Sequence, residues 1–326
     1  MLNIISKSIY DTKIRGPKKV VDNLIKGLEI IKYPYVINQR LDACDRLWIH
    51  DDIAATKKIS SLPSDIKVIL GPNIFVHPND IPASMDISRA ILIEPSEPVK
   101  KAWLEIGYDK SPIDVWPAGI DTDAYKPSST KKDTVLLYFK QREKAELEKV
   151  KNELAKQNIP YVFFSYGSYQ EAAYREALSR TKYIVWLGCY ESQGFALEEA
   201  LSANIPILVI EKGVFESSHD KYSTSAPYWS PACGIKIQGV SELKNGLMRM
   251  EKEYMDFSPR SFILENLALE KQARAFLSLY EKHFGLKISD GFHEKIAKKG
   301  LWKNALLIYR IWFKMKELIK NVKSLF

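Results

Sequence analysis

Cysteine is scarce: Cys44, Cys189 and Cys233 are the only three in 326 residues. Their spacing matches no metal site and builds no disulfide framework, so a reducing, cytoplasmic setting is expected. Cys189 has no histidine near it in the chain and reads as a packing residue, not a nucleophile. No apolar run approaches the roughly 18 residues that a membrane span needs. The opening MLNIISKSIY lacks the charged-then-apolar layout of a signal peptide and reads as a first strand. Excess charge is also missing from most of the chain. Of the net +8, +7 comes from Gly285 onward, where ten Lys or Arg face three acids. The remainder is close to neutral, which argues against a general nucleic-acid-binding surface.

What is present is ordinary soluble material, 46% hydrophobic and 27% charged, and long enough for two domains that each bury a core. Strand-length apolar runs alternate with helical stripes in both halves, the pattern of an α/β fold with parallel sheets. The stretch 183–210 organises the rest. YIVWL at 183–187 is a buried strand stopped by Gly188. Ser192 and Gly194 mark a loop and a helix start, and Ala196, Leu197, Ala200 and Leu201 supply a helical apolar stripe. Asn204 and Pro206 end that helix, and 205–210 is the next strand. A helix N-terminus carries unpaired N–H groups and partial positive charge, so an anion can sit at Gly194, Phe195 and Ala196. Glu199 lies one turn beyond Phe195 on the same face, and Glu191 stands in the loop in front. A phosphate cradle flanked by two hydroxyl-accepting carboxylates suits a sugar nucleotide. The plainer reading is that acids near a helix start offset the dipole, since strand–loop–helix units occur in every doubly wound protein.

The spacing favours the first reading. Glu191 and Glu199, eight positions apart around Gly194-Phe195 and followed by EALSANIPILV, resemble the paired-glutamate signature of retaining GT-B glycosyltransferases. Glycosyltransferase family four, the glycosyl transferases group 1, is the nearest resemblance, with Asn204 where its members usually carry Gly. PSEPVKKAWLEIGYDKSPIDVWPAGIDTDAYKP resembles the passage of that family that ends the first domain, with Tyr125 as its late aromatic. The resemblance covers about 1–281 and is strongest at 94–125 and 183–210. It implies two Rossmann-like doubly wound domains facing a central cleft: 1–130 on the acceptor side, and 131–281 binding the nucleotide sugar and ending in a crossover helix. The linker is 126–133.

The resemblance also implies roles. The donor is a UDP- or GDP-sugar, and the acceptor is a hydroxyl of a glycan or lipid-linked molecule. Glu191 holds the transferred sugar and Glu199 the ribose. Lys140 and Arg142, at a strand end, compensate the departing diphosphate; they are favoured over Lys144, which opens a charged, solvated helix. Tyr166 or Tyr169 stacks on the base. Gly16, in the turn IRGP before an amphipathic helix, touches the donor phosphates or the acceptor, the alternative being a plain strand-to-helix turn. His50 and His77 lie near strand ends, where α/β ligands gather, and each is a candidate sugar or acceptor contact. No cofactor is expected beyond the donor, and no metal, because no clustered Asp-x-Asp of the sort that holds a divalent ion with a diphosphate is read in the chain.

Three further expectations concern structure. The run 161–164 reads as a buried strand. Helices are expected over 241–250 and 262–280, the second closing domain two, while the family places a late helix across domain one. In the tail 285–326, Leu301, Ala305, Ile308, Trp312, Met315, Ile319 and Val322 recur at helical spacing beside Lys and Arg, so 295–326 reads as a basic amphipathic helix for an anionic membrane surface, the alternatives being a crossover helix packed on domain one or an oligomer contact. Two rival functions stand beside the transferase: a GT-B sugar-nucleotide epimerase, and a non-catalytic, membrane-associated sugar-nucleotide-binding scaffold.

Overall fold

The structure, a computed structural model, describes residues 1–13, 15–72, 74–212 and 224–289. The basic segment expected at 295–326 lies outside them.

Domain one begins with β1 (Leu2–Ile5), whose four residues are all buried. Helix α1 (Gly16–Ile30) follows, started by Pro17, whose fixed φ suits the first turn, and it faces the sheet with Val20, Val21, Leu24 and Leu28. Then come β2 (Tyr35–Ile37), β3 (Arg46–Ile49), the short α2 (Ile53–Thr56), β4 (Lys67–Leu70), β5 (Ala90–Glu94), α3 (Glu97–Glu105) and β6 (Ile113–Val115). The sheet order is β2-β1-β3-β4-β5-β6, and every pairing is parallel. Alternate residues serve opposite faces, as the two-residue strand period requires. Leu2, Ile4 and Trp48 join the α1 side, while Ile5, Leu47 and Ile49 join the α3 side with Trp103.

After a linker over 126–133 without helix or strand, domain two repeats the plan. Its elements are β7 (Thr134–Lys140), α4 (Lys144–Lys156), β8 (Tyr161–Ser165), α5 (Glu171–Arg180), β9 (Thr181–Gly188), α6 (Phe195–Ser202), β10 (Ile207–Ile210), β11 (Gly234–Ile237) and α7 (Leu243–Glu253). The order is β11-β10-β9-β7-β8, again parallel. The strand over 161–164 is present but not buried. It is the sheet edge, and Val162 and Phe163 are 37% and 43% exposed. An apolar run cannot by itself distinguish an edge from a centre.

The helix expected over 262–280 is two helices. Helix α8 (Pro259–Asn266) ends at Leu267, and α9 (Leu269–Phe284) starts after Ala268. The break lets Ile120 N–H bond Leu267 O at 2.7 Å and forms a parallel bridge from Ile120 to Ala268. Helix α9 then leaves domain two, and its Ala273, Phe276, Leu277 and Tyr280 complete the core of domain one. Phe276 packs edge-on against Trp48 and Trp116, at centroid distances of 5.2 and 4.9 Å, and Trp116 Nε1–H bonds Gln272 O at 2.9 Å. Gly27 permits this crossing: a Cβ there would sit 2.5 Å from Leu269 O.

Candidate functional site

Loops leaving the carboxyl ends of the two sheets meet, as expected for ligand sites in open α/β sheets. Tyr228 O–H bonds Pro95 O across the interface at 2.7 Å. Gln193 grips Ala118 on both sides, accepting its N–H at 3.0 Å and donating to its carbonyl at 2.8 Å. Phe195 packs against the cores of both domains.

Strand β9 carries the chain to Gly188, and the loop turns into α6 at Gly194, whose φ of 103° lies in the left-handed region open to glycine. A Cβ there would make only ordinary contact with Glu191 Cβ and Cγ, at 3.5 Å, so the constraint on Gly194 is its backbone conformation. The first N–H groups of α6, on Phe195 and Ala196, lie where an α-helix has no internal acceptor to offer. Lys140 ends β7, paired in register with Gly188, and its Nζ lies 2.7 Å from Glu191 Oε2. Burial pushes the Glu191 carboxyl up, and Lys140 opposes the shift. The same Nζ stands 4.5 Å from the ring centre of Tyr166, which is 57% exposed. Cation, carboxylate and an open aromatic face thus surround one helix N-terminus.

Glu199 lies one turn into α6 and is ion-paired with Lys19 of α1, in domain one. Burial raises its carboxyl to about 7, with Lys19 pulling against that rise. Glu198 beside it is fully buried. It accepts from Gln193 Nε2 at 2.9 Å through Oε2, and its Oε1 has no partner among the described residues. Burial, with the charges of Glu199 and Glu191, holds its carboxyl well above the usual range.

The other expected residues fall elsewhere. Arg142 does not join Lys140. Its guanidinium is buried, with Nη1–H bonding Gly188 O and Ile210 O at 2.8 Å each, and Nε and Nη2 gripping Glu146. Residues two apart in an extended run share a face, but Gln141 between them has a φ of 51° and breaks the run, so Arg142 ties β7, β9 and β10 together from within and is not a cleft cation. His50 is buried and donates its Nε2–H to Pro17 O at 3.0 Å. Burial lowers its pKa, and the ring holds the first turn of α1 in place. His77 caps the 3₁₀ turn Pro78–Asp80 by accepting from Asn79 N–H. Gly16 opens α1 with no atom near its missing Cβ. Tyr169 is half-buried against Phe164, Tyr138 and Tyr174, with its hydroxyl 3.2 Å from that of Tyr138. Of the two tyrosines, Tyr166 presents the open ring.

Reading the chain passed over Lys19, Gln193 and Glu198. A signal existed for Glu198, an acid between Leu197 and Leu201 on the inner face of a helix. Lys19 had only its place in GPKK, because nothing local shows that α1 reaches domain two. An Asp-x-Asp was also passed over, at Asp121-Thr122-Asp123. Asp121 is spent on Lys26 at 2.7 Å and on Ala124 N–H at 2.9 Å.

Two facing doubly wound domains, with a last helix returning to the first, are a GT-B fold. Solved structures carry the same architecture. A glycosyltransferase from Rickettsia africae matches at a TM-score of 0.55 and 10% identity, over 86% of this chain and 97% of that one. HepE from Anabaena, solved with UDP and glucose, matches at 0.54 and 11%, over 86% and 99%. Sucrose-phosphate synthase from Thermosynechococcus elongatus matches at 0.52 and 12%, over 87% and 99%. At such identities the likeness is one of fold. No family model matches the chain, and no curated protein sequence matches it.

Proposed function

We propose that this protein is a retaining glycosyltransferase that moves a sugar from a UDP- or GDP-sugar to a hydroxyl of a glycan or lipid-linked acceptor. The observation that carries the reading is the Lys140–Glu191 pair at the N-terminus of α6, with Glu199 one turn behind it. The GT-B fold supports it, as does the neighbour solved with UDP and glucose. In this reading the N–H groups of Phe195 and Ala196 bind the diphosphate, and Lys140 balances the negative charge that grows on it as it leaves. Glu191 accepts from hydroxyls of the transferred sugar, Glu199 from the ribose, and Tyr166 stacks on the base. The bond from the anomeric carbon to the diphosphate oxygen breaks, and the acceptor oxygen bonds to that carbon on the same face. The acceptor proton passes to the departing phosphate, so no separate general base is needed. The reading assigns no metal a role.

Thermal stability against UDP, GDP, ADP, CMP and their sugar conjugates tests this. A ligand at a hundred times its Kd stabilises by about 2.7 kcal/mol, a rise of several degrees. A rise with UDP or GDP alone supports the donor class, and no rise with either overturns it. Product analysis then separates the rivals: a free epimer marks an epimerase, and binding without turnover marks a scaffold.

We place the protein in the cytoplasm. No described helix is long and apolar enough to cross a membrane. The segment 295–326 is the proposed contact with an anionic membrane surface. Truncation should follow Ser289, because Leu286 and Ile288 pack on domain one. Unchanged binding of the truncated chain to anionic liposomes would remove this part of the proposal.

A further inference from the structure

The two lysines that follow Pro17 do different work. Lys18 stays within domain one, with Nζ 3.1 Å from Ile9 O and 3.4 Å from the Asp22 carboxylate. Lys19 crosses to domain two, between the rings of Tyr125 and Phe195 at 5.9 and 6.0 Å, and pairs with Glu199. Its side chain is 18% exposed and that of Glu199 is 5% exposed. The neighbouring Lys26–Asp121 pair stays within residues 1–130. Lys19 instead meets a carboxylate buried on the helix whose N-terminus forms the anion cradle.

That carboxylate has few other means of keeping its charge. On its own helix is Glu198, which repels it. From α5 come Glu171, whose Oε1 is 3.8 Å from Lys19 Nζ, and Tyr174. From the loops come Tyr169 and Tyr125, whose hydroxyl bonds Glu171 at 2.7 Å and also faces Glu199, easing its charge. Arg175 is drawn toward Glu171, at 3.5 Å, and over the Tyr125 ring. Lys19 is therefore the one cation paired with Glu199 among the described residues, and it comes from the opposite domain. A carboxylate accepts hydroxyl hydrogen bonds far better ionised than protonated.

We propose that Lys19 is a positioning residue of the donor site: by pairing with Glu199 across the cleft it holds that carboxylate ionised and aimed for the ribose hydroxyls of the nucleotide. This rests on the donor reading above. Domain one thereby controls nucleotide affinity without touching the nucleotide, and domain closure and donor recognition become one event.

Isothermal titration of UDP and GDP between pH 6 and 8.5 tests it, on wild type, Lys19→Met, Lys19→Arg and Glu199→Gln. The nucleotide's own phosphate ionisation is common to all four, so differences between profiles are read. Wild-type affinity should fall as pH drops through about 7, where Glu199 takes its proton. Lys19→Met should bind about fivefold more weakly at pH 7, with the midpoint of the fall moved up by about one pH unit. Lys19→Arg should restore both, and Glu199→Gln should remove the step. Lys19→Gln replaces Lys19→Met if circular dichroism shows the latter unfolded. A wild-type profile in the neutral variants overturns the role of Lys19 and leaves the donor reading standing. If neither nucleotide binds the wild type, the donor reading falls and this inference falls with it.

Discussion

Replacing Lys140 by methionine keeps the length of the side chain and removes the cation 2.7 Å from Glu191 Oε2. Both side chains are well buried, 14% and 10% exposed, so solvent screens the loss little. Breaking such a pair costs about 3–5 kcal/mol while the carboxylate stays charged. Glu191 has an escape, because it can take up a proton. Protonation costs only the gap between ambient pH and the ordinary carboxyl value of 4.5, about 1.4 kcal/mol per pH unit. The loss of stability is therefore capped at about 3.4 kcal/mol at pH 7 and at about 0.7 kcal/mol at pH 5. Part of the cap is already spent, since burial raises the Glu191 pKa in the wild type. A loss of about 2 kcal/mol at pH 7 is expected. The sign follows from linkage. A carboxyl whose folded pKa is raised contributes stability that is full below its unfolded value and is lost as pH rises through the folded one. Lys140→Met lengthens that interval, so its deficit should grow from pH 5 to pH 8. Urea unfolding across that range measures it, with hydrogen exchange of the β7 and β9 amides reporting domain two separately. In Lys140→Met/Glu191→Gln the pH dependence should vanish, and the cycle should give a coupling of about 2 kcal/mol. A deficit equal at pH 5 and pH 8, or a coupling below about 0.5 kcal/mol, would refute the ion pair.

Arg142→Met should act on stability before ligand binding, costing domain two about 3 kcal/mol in urea unfolding, because Gly188 O, Ile210 O and Glu146 all lose their partner. Unchanged stability with lost nucleotide affinity would return Arg142 to the cleft. Gly194→Ala should cost about 1–2 kcal/mol for its left-handed φ and should weaken nucleotide binding by straining the turn that presents the Phe195 and Ala196 N–H groups; wild-type affinity in calorimetry would contradict the cradle. Gly27→Ala should loosen α9 from α1 at about 1–3 kcal/mol, since its Cβ meets Leu269 O. Equal melting of mutant and wild type would show that the crossing has room to spare.

Local order fixes much of this molecule. Strands such as 134–139 and 183–187 are continuous apolar runs because parallel strands are buried on both faces, and that composition is legible without a structure. The turn at Gly194 and the spacing from Glu191 to Glu199 are equally local, being set by one loop and one helical turn. Edge or centre is not local: Val162 and Phe163 are as apolar as a central strand, and only the sheet order exposes them. Lys140 and Arg142 are two positions apart and alike in charge, yet one reaches Glu191 and the other ties three strands from within. The side a residue faces depends on what packs against it, and here that is a carbonyl pair from β9 and β10. The helix break at Leu267 and Ala268 follows from a contact with Ile120, which is 148 positions earlier in the chain. Lys19 and Glu199 are 180 residues apart. Their pairing exists only because α9 and the Gln193–Ala118 clamp bring two separately folded sheets together, and tertiary structure alone decides it.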